Sequence, residues 1–137
     1  MSSLKSAAGL ITCASPHTPE ETLDRLAKAV VDRGLTIVAR VDHAEAAAKV
    51  GLGLRPTVLL IFGNARAGTP LMQAAQLIGI ELPLRALVWQ DEAGRTQLSY
   101  IDPAWLADRH GILFATQKSV EHMNSVLQSI VAEAASP

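Results

Sequence analysis

Cysteine occurs once in this chain, as Cys13. An internal disulfide and any cysteine-rich zinc site are thereby excluded. Aromatic residues make up only 4% of the sequence, so a core has to be built from Leu, Ile, Val and Ala. No run of basic residues exists, and 12 Lys and Arg stand against 13 Asp and Glu, for a net charge of −1. Nucleic acid and anionic membrane surfaces both demand a basic footprint. The expected partners therefore include no nucleic acid and no membrane. No apolar stretch approaches the roughly 20 residues needed to span a bilayer. Lys5 followed by Ala-Ala-Gly-Leu-Ile-Thr-Cys-Ala mimics a short signal sequence, but the run is brief and a helix start follows it directly. It reads instead as a first strand of a soluble, cytoplasmic protein.

What is present is a hydrophobic content of 49% in 137 residues, enough for one domain with a real core. Gly9 to Ala14 reads as a strand. Thr18-Pro19-Glu20-Glu21 opens a helix, with Thr18 as cap and Glu21 closing a capping box. Leu23, Leu26, Ala27, Val30 and Val31 follow at helical spacing. Leu35 to Val41 is β-branched and strand-like. Asp42 with Glu45 opens an Ala-rich helix that stops at Gly51. Pro56 to Phe62 is almost wholly apolar, as in a strand covered on both faces. Leu84 to Gln90 and Thr96 to Ile101 flank Asp91-Glu92-Ala93-Gly94, a hairpin turn in which Gly94 takes positive φ. Asp102-Pro103 starts a short helix ending at Gly111. The last helix runs from about Gln117 to Ala134, with Val120, Met123, Leu127, Ile130 and Val131 on one side.

The segment from Val58 to Gly79 holds the leading ligand candidate. It reads as a buried strand, a loop flanked by Gly63 and Gly68, and a helix opened by Thr69-Pro70. A helix N-terminus presents unbonded N–H groups and the positive end of its dipole, which suits an anion. Gly63, Asn64, Arg66, Gly68 and Thr69 form this candidate binding site. The loop lacks the Gly-Lys-Ser/Thr ending of a nucleotide-binding loop. The bland alternative is a tight turn, with Thr69 as N-cap and Asn64 bonding its own backbone.

No catalytic signature emerges, and the catalytic candidates are two. His43 sits just inside a helix start, where the dipole favours the neutral imidazole. Cys13 lies on the first strand and forms a dyad only if the fold brings it to His43. Buried, it is a small hydrophobe. His17, His110 and His122 show no metal-ligand spacing, so no metal is assigned. Glu45, Asp91, Glu92 and Asp102 are explained by caps and a turn. Trp89, Tyr100 and Trp105 suit packing on the sheet, a ligand wall or a dimer face. Arg55 and Arg85 each flank a strand entry near a proline.

The block from His43 to Tyr100 resembles the bacterial and archaeal family known as domain of unknown function 302. Asp42-His43, Gly51 and Leu54-Arg55-Pro56 carry the resemblance. So do Ile61-Phe62-Gly63-Asn64, Gly68-Thr69-Pro70-Leu71-Met72, Leu82-Pro83-Leu84, Val88-Trp89, Gly94 and Ser99-Tyr100. The likeness extends from about Gly9 to Ile112. One departure is Ala65, where the family usually has proline. The resemblance implies a compact α/β sandwich, often paired as a dimer, and no particular activity or cofactor.

The expected fold is therefore α/β of the α+β type. It is a single-domain two-layer sandwich with a mixed sheet of about five strands and helices mainly on one face. Strand, Thr-Pro helix start and strand recur, Thr18 matching Thr69 and Ile37 matching Val88, which suggests an internal β-α-β duplication. The expected function is binding of a small molecule or anion through the Gly63–Thr69 turn. The alternatives are an enzyme using Cys13 and His43 by thiol or metal chemistry, and a dimeric interaction module without a ligand. The expected partners are a small anionic ligand and a second copy in a homodimer. The last helix either covers the sheet or joins the dimer interface through Val120 and Met123.

Overall fold

Thr18 starts the first helix as its sequence demands. Its hydroxyl accepts from the Glu21 amide at 3.1 Å, and Pro19 takes the first turn of α1, Pro19–Asp32. The structure is a computed structural model that describes residues 3–4 and 7–137; Lys5 lies outside the described residues. Five strands of six or seven residues form the sheet: β2 (Leu10–Ser15), β3 (Thr36–Asp42), β4 (Thr57–Gly63), β5 (Leu84–Gln90) and β6 (Thr96–Ile101). A two-residue strand β1 (Ser3–Leu4) extends one edge. The order is β1-β2-β6-β5-β4-β3, and the sheet is open, with β1 and β3 at its edges.

The α+β sandwich stands as expected, but every strand pairing is antiparallel, so the sheet is not mixed. The β-α-β duplication also fails. Helix α1 joins β2 to β3, at opposite ends of the five longer strands, whereas the connection from β4 to β5 joins antiparallel neighbours. The two Thr-Pro pairs differ too: Thr18 is an N-cap, while Thr69 lies inside a helix.

Alternation along the strands decides which face is core. Leu60 and Phe62 of β4, Ala86 and Val88 of β5, and Leu98 and Tyr100 of β6 are buried on one face. Helices α1 and α5 (Gln117–Ala135) pack against that face and against each other. Leu23, Leu26, Ala29 and Val30 of α1 point inward, and Val31 is 58% exposed, so Ala29 holds the place on the apolar face expected for Val31. In α5, Val120, Met123, Leu127, Ile130 and Val131 are all buried. The last helix therefore covers the sheet of its own chain. Its C-terminal end is held by Arg25, which donates to the carbonyls of Glu133, Ala134 and Ser136 and to the Ser136 hydroxyl. Helix α2 (His43–Lys49) buries none of its residues, and α4 (Pro103–Arg109) packs on α5.

The other sheet face points away from α1 and α5. In register across it lie Thr12, Ser99, Leu87 and Leu59, with Ala14, Gln97, Trp89 and Thr57 in the next row. An antiparallel sheet with one wet face ordinarily alternates apolar and polar residues. On this face Leu10, Leu59, Leu87, Trp89 and Ile101 line an apolar groove beside the polar Thr12, Ser99, Gln97 and Thr57.

Candidate functional site

The helix at the centre of the ligand expectation begins earlier than Thr69. Asn64 is the N-cap of α3 (Ala65–Ala74), and its side-chain oxygen accepts from the Ala67 amide at 2.8 Å. The Asn64 carbonyl also accepts from Ala67 at 3.3 Å and from Gly68 at 3.2 Å, so the first turn is wound tightly. Pro70 sits inside the helix, not at its start. Thr69 is consequently not a cap, and the stretch read as a phosphate-type loop is the first turn and a half of a helix. None of its glycines has positive φ. Gly68 faces Leu82 and Met72, and Gly63 faces Pro83, so these glycines serve close packing.

The N-terminal turn of α3 forms one wall of a cleft of about 440 Å³. Gly63, Asn64 and Gly68 line it; Arg66 and Thr69 do not. The other walls are Leu35, Thr36 and Val38 at the β3 edge, Met72, Leu82 and Pro83 around the 3-10 helix Gln76–Glu81, and Met123 of α5. Nearly all of this surface is apolar. It offers no cluster of charge for an anion, and two methionines give it an adaptable wall. Sequence reading missed these walls because they come from four separate segments.

The cysteine and histidine expected as a dyad are kept apart by topology. Cys13 is buried on β2, on the core face, and burial pushes its thiol pKa up, away from a reactive thiolate. His43 is exposed at the first position of α2, directly after β3. Strands β2 and β3 are separated by β6, β5 and β4, a span of about 19 Å at ordinary strand spacing. Thiol chemistry by this pair is ruled out. Asp42 caps α2 through the Glu45 amide at 2.9 Å, which accounts for the acidic residues there. Among the described residues, no group of three or more His, Cys, Asp or Glu side chains is placed to hold a metal ion.

A second concavity lies on the uncovered sheet face, a groove of about 270 Å³ lined by Leu10, Thr12, Leu59, Arg85, Leu87, Trp89, Ser99 and Ile101 among others. The Trp89 indole donates to the Ser99 hydroxyl at 2.9 Å, and Ser99 also bonds Thr12 at 2.7 Å. Nε of Arg85 is buried and has no hydrogen-bond partner. Arg85, read as flanking a strand entry near a proline, is the second residue of β5, just after Pro83.

A family model described as domain of unknown function DUF302 matches residues 11–130. The chain is 44% identical over 116 residues to the fluoride-specific ion channel FluC 1 of Brucella suis biovar 1, a match spanning 85% of this chain and 46% of that protein. The FluC 1 protein of Brucella abortus biovar 1 matches at the same identity, with 43% of its length covered. The chain thus spans less than half the length of these curated relatives. A crystal structure of an uncharacterised DUF302 protein from Bacillus stearothermophilus superposes with a TM-score of 0.84 at 20% identity, covering 93% of this chain and 99% of that one. The relatives overturn the expectation of a protein that binds a small molecule or anion through the Gly63–Thr69 turn, since they are named fluoride-specific ion channels. The geometry agrees, for that turn is helix and opens on apolar surface.

Proposed function

We propose, from the premise that the chain belongs to the DUF302 family, that it acts as an accessory domain of a fluoride-specific ion channel whose pore is formed elsewhere. The observation that carries this reading is the pattern of coverage. Identity of 44% extends over 85% of this chain, yet more than half of each channel relative lies outside the match. The fold supports the same division of labour. A bilayer-spanning pore needs helices of about 20 apolar residues or a closed barrel, so that every backbone polar group is satisfied. Among the described residues no helix is long and apolar enough to cross a membrane, and the sheet is open at both edges.

The test is fluoride handling by the Brucella suis relative with and without the matched region, in a fluoride-sensitive bacterium and in liposomes read by a fluoride electrode. The expected result is a variant that still conducts fluoride but supports altered tolerance in cells. This chain alone, reconstituted in liposomes, is expected to produce no fluoride flux. Flux from this chain alone overturns the reading, and so does unchanged tolerance when the matched region is removed.

A further inference from the structure

We infer that the groove on the sheet face away from α1 and α5 is a binding site for a small organic carboxylate, with its acid group on Arg85 and its apolar body against Leu87 and Trp89. The groove, of about 270 Å³, shares no lining residue with the cleft beside α3. Leu59, Leu87 and Ile101 give it an apolar floor, and Trp89 adds an aromatic surface. These residues stand on paired strands, so backbone hydrogen bonding holds their positions. Two hydrogen-bond donors interrupt the apolar surface. Apolar walls with a few placed polar groups are the ordinary makeup of a small-molecule site.

Arg85 is the first donor. It is half-buried on β5, beside Ile61 of β4 and two residues from Leu87. Its Nε is out of water without a hydrogen-bond partner, and no carboxylate among the described residues pairs with its guanidinium. Other arginines spend their donors within the fold: Arg25 on the end of α5, Arg33 on Glu133, and Arg55 on the Gln90 carbonyl. A desolvated donor without an acceptor destabilises the protein that carries it. A guanidinium is a planar fork of donors matched to a carboxylate, which supplies both the missing acceptors and the missing charge.

The second donor follows from proton arithmetic. The Trp89 indole donates to Ser99, and the Ser99 and Thr12 hydroxyls share one further bond. Whichever hydroxyl donates in that bond, the other keeps a proton with no acceptor among the described residues. Ser99 is the register partner of Leu87, so its backbone and that of Arg85 are roughly 8 Å apart, on either side of Leu87. No acidic side chain lines the groove, which leaves an amine or a metal cation without a counter-charge there. The volume equals that of about nine water molecules. It admits one ring or a branched chain and is far below what a protein partner covers. The site needs no part of the channel and stands or falls separately from the accessory-domain reading.

The test is titration of the isotope-labelled chain with phenylacetate and with isovalerate, followed by the Trp89 indole N–H and the backbone amides of β5 and β6 in nuclear magnetic resonance spectra. Saturable shifts confined to the groove are expected, with a dissociation constant of about 0.1–1 mM for ligands this small. Phenylacetamide has the body without the charge, and inorganic phosphate has charge without the body. Each is expected to bind at least tenfold more weakly than phenylacetate. Arg85→Met is expected to weaken phenylacetate at least tenfold while raising the melting temperature of the free chain, because it removes an unpaired buried donor. An arginine kept for structure alone would lower that temperature on the same change. Arg85→Lys, which retains the charge and loses the fork, is expected to weaken binding several-fold. Thr12→Val is expected to do the same, and Arg66→Gln, in the first turn of α3, to change nothing. Absence of saturable shifts at about 10 mM ligand overturns the proposal. So does phenylacetate binding that survives Arg85→Met, or phenylacetamide binding as tightly as the acid. Phosphate binding as tightly as phenylacetate overturns the assignment to an organic acid.

Discussion

Single residues in this chain are constrained most where backbone sign and packing coincide. Gly9 has φ +77, and a Cβ there would lie 2.4 Å from the Trp105 ring. Ala at this position meets both a left-handed backbone penalty and a steric clash with the indole. Gly9→Ala is expected to cost about 2–4 kcal/mol, read by urea denaturation. Gly94, by contrast, has φ +81 with open space around it, as the hairpin reading of Asp91 to Gly94 anticipates. Asp91 holds that hairpin. Its carboxylate accepts from the amides of Arg95 at 2.9 Å and Ala93 at 3.0 Å, and from the Gln97 side chain at 3.0 Å. The Arg95 amide, then the Gln97 side chain, hold the Asp91 pKa below the ordinary carboxylate range. A carboxyl whose native pKa is depressed stabilises the fold above its unfolded value and loses that contribution as pH falls through the native one. Wild type is therefore expected to exceed Asp91→Asn in stability at pH 7. The gap should close from about pH 4 downward, as paired melts across pH will show. Gly94 was legible as a turn glycine, whereas Gly9 was read as the start of a strand, because its constraint depends on Trp105, which arrives from α4.

At the scale of elements, capping chemistry was legible and one helix start was misplaced. Thr18, Asp42 and Asp102 cap the helices they precede. The exception is α3, where Thr69-Pro70 looks like a start but Asn64 is the cap. Proline lacks the N–H that an interior position uses and ordinarily ends a helix. Here it falls at the sixth position of α3, with one turn completed before it, and the helix continues through Ala74. The family departure at Ala65 is now intelligible in place, since Ala65 is the first residue of that helix and leads helix propensity. Two substitutions separate helix from loop. Asn64→Ala removes the cap and is expected to cost about 1 kcal/mol. Gly68→Ala is expected to stabilise by roughly 0.5–1 kcal/mol, because a Cβ there meets Leu82 and Met72 at ordinary contact distances. A ligand-cradling loop glycine would instead lose stability on the same change. Thermal melts of the two variants decide between these descriptions of the segment.

At the scale of the whole molecule, the fold is one layer of helices on one face of an antiparallel sheet, and that asymmetry organises everything else. The apolar run from Pro56 to Phe62 announced a strand covered on both faces, yet α1 and α5 cover only one. Periodicity identifies which residues avoid water; it does not say whether the cover comes from the same chain. The same limit hid the cleft, whose walls meet only after β3, α3 and α5 are assembled. It also dissolved the Cys13–His43 pairing, since strand order is a property of the whole sheet. On the covered side the packing is continuous: Ile130 and Leu127 of α5 and Leu26 and Val30 of α1 are buried in the same core as Leu60 and Val88 of the sheet. Ile130 is fully buried, so truncation to Ala leaves a cavity that the crossing helices can close only in part. Ile130→Ala is expected to cost about 2–5 kcal/mol, with the midpoint of urea unfolding lowered and the slope unchanged. An equal loss seen by circular dichroism and by Trp89 emission would mean that helix layer and sheet unfold together. Trp89 lies on the sheet face that points away from α1 and α5. Its transition can follow that of α5 only if the sheet depends on the one helical layer it has.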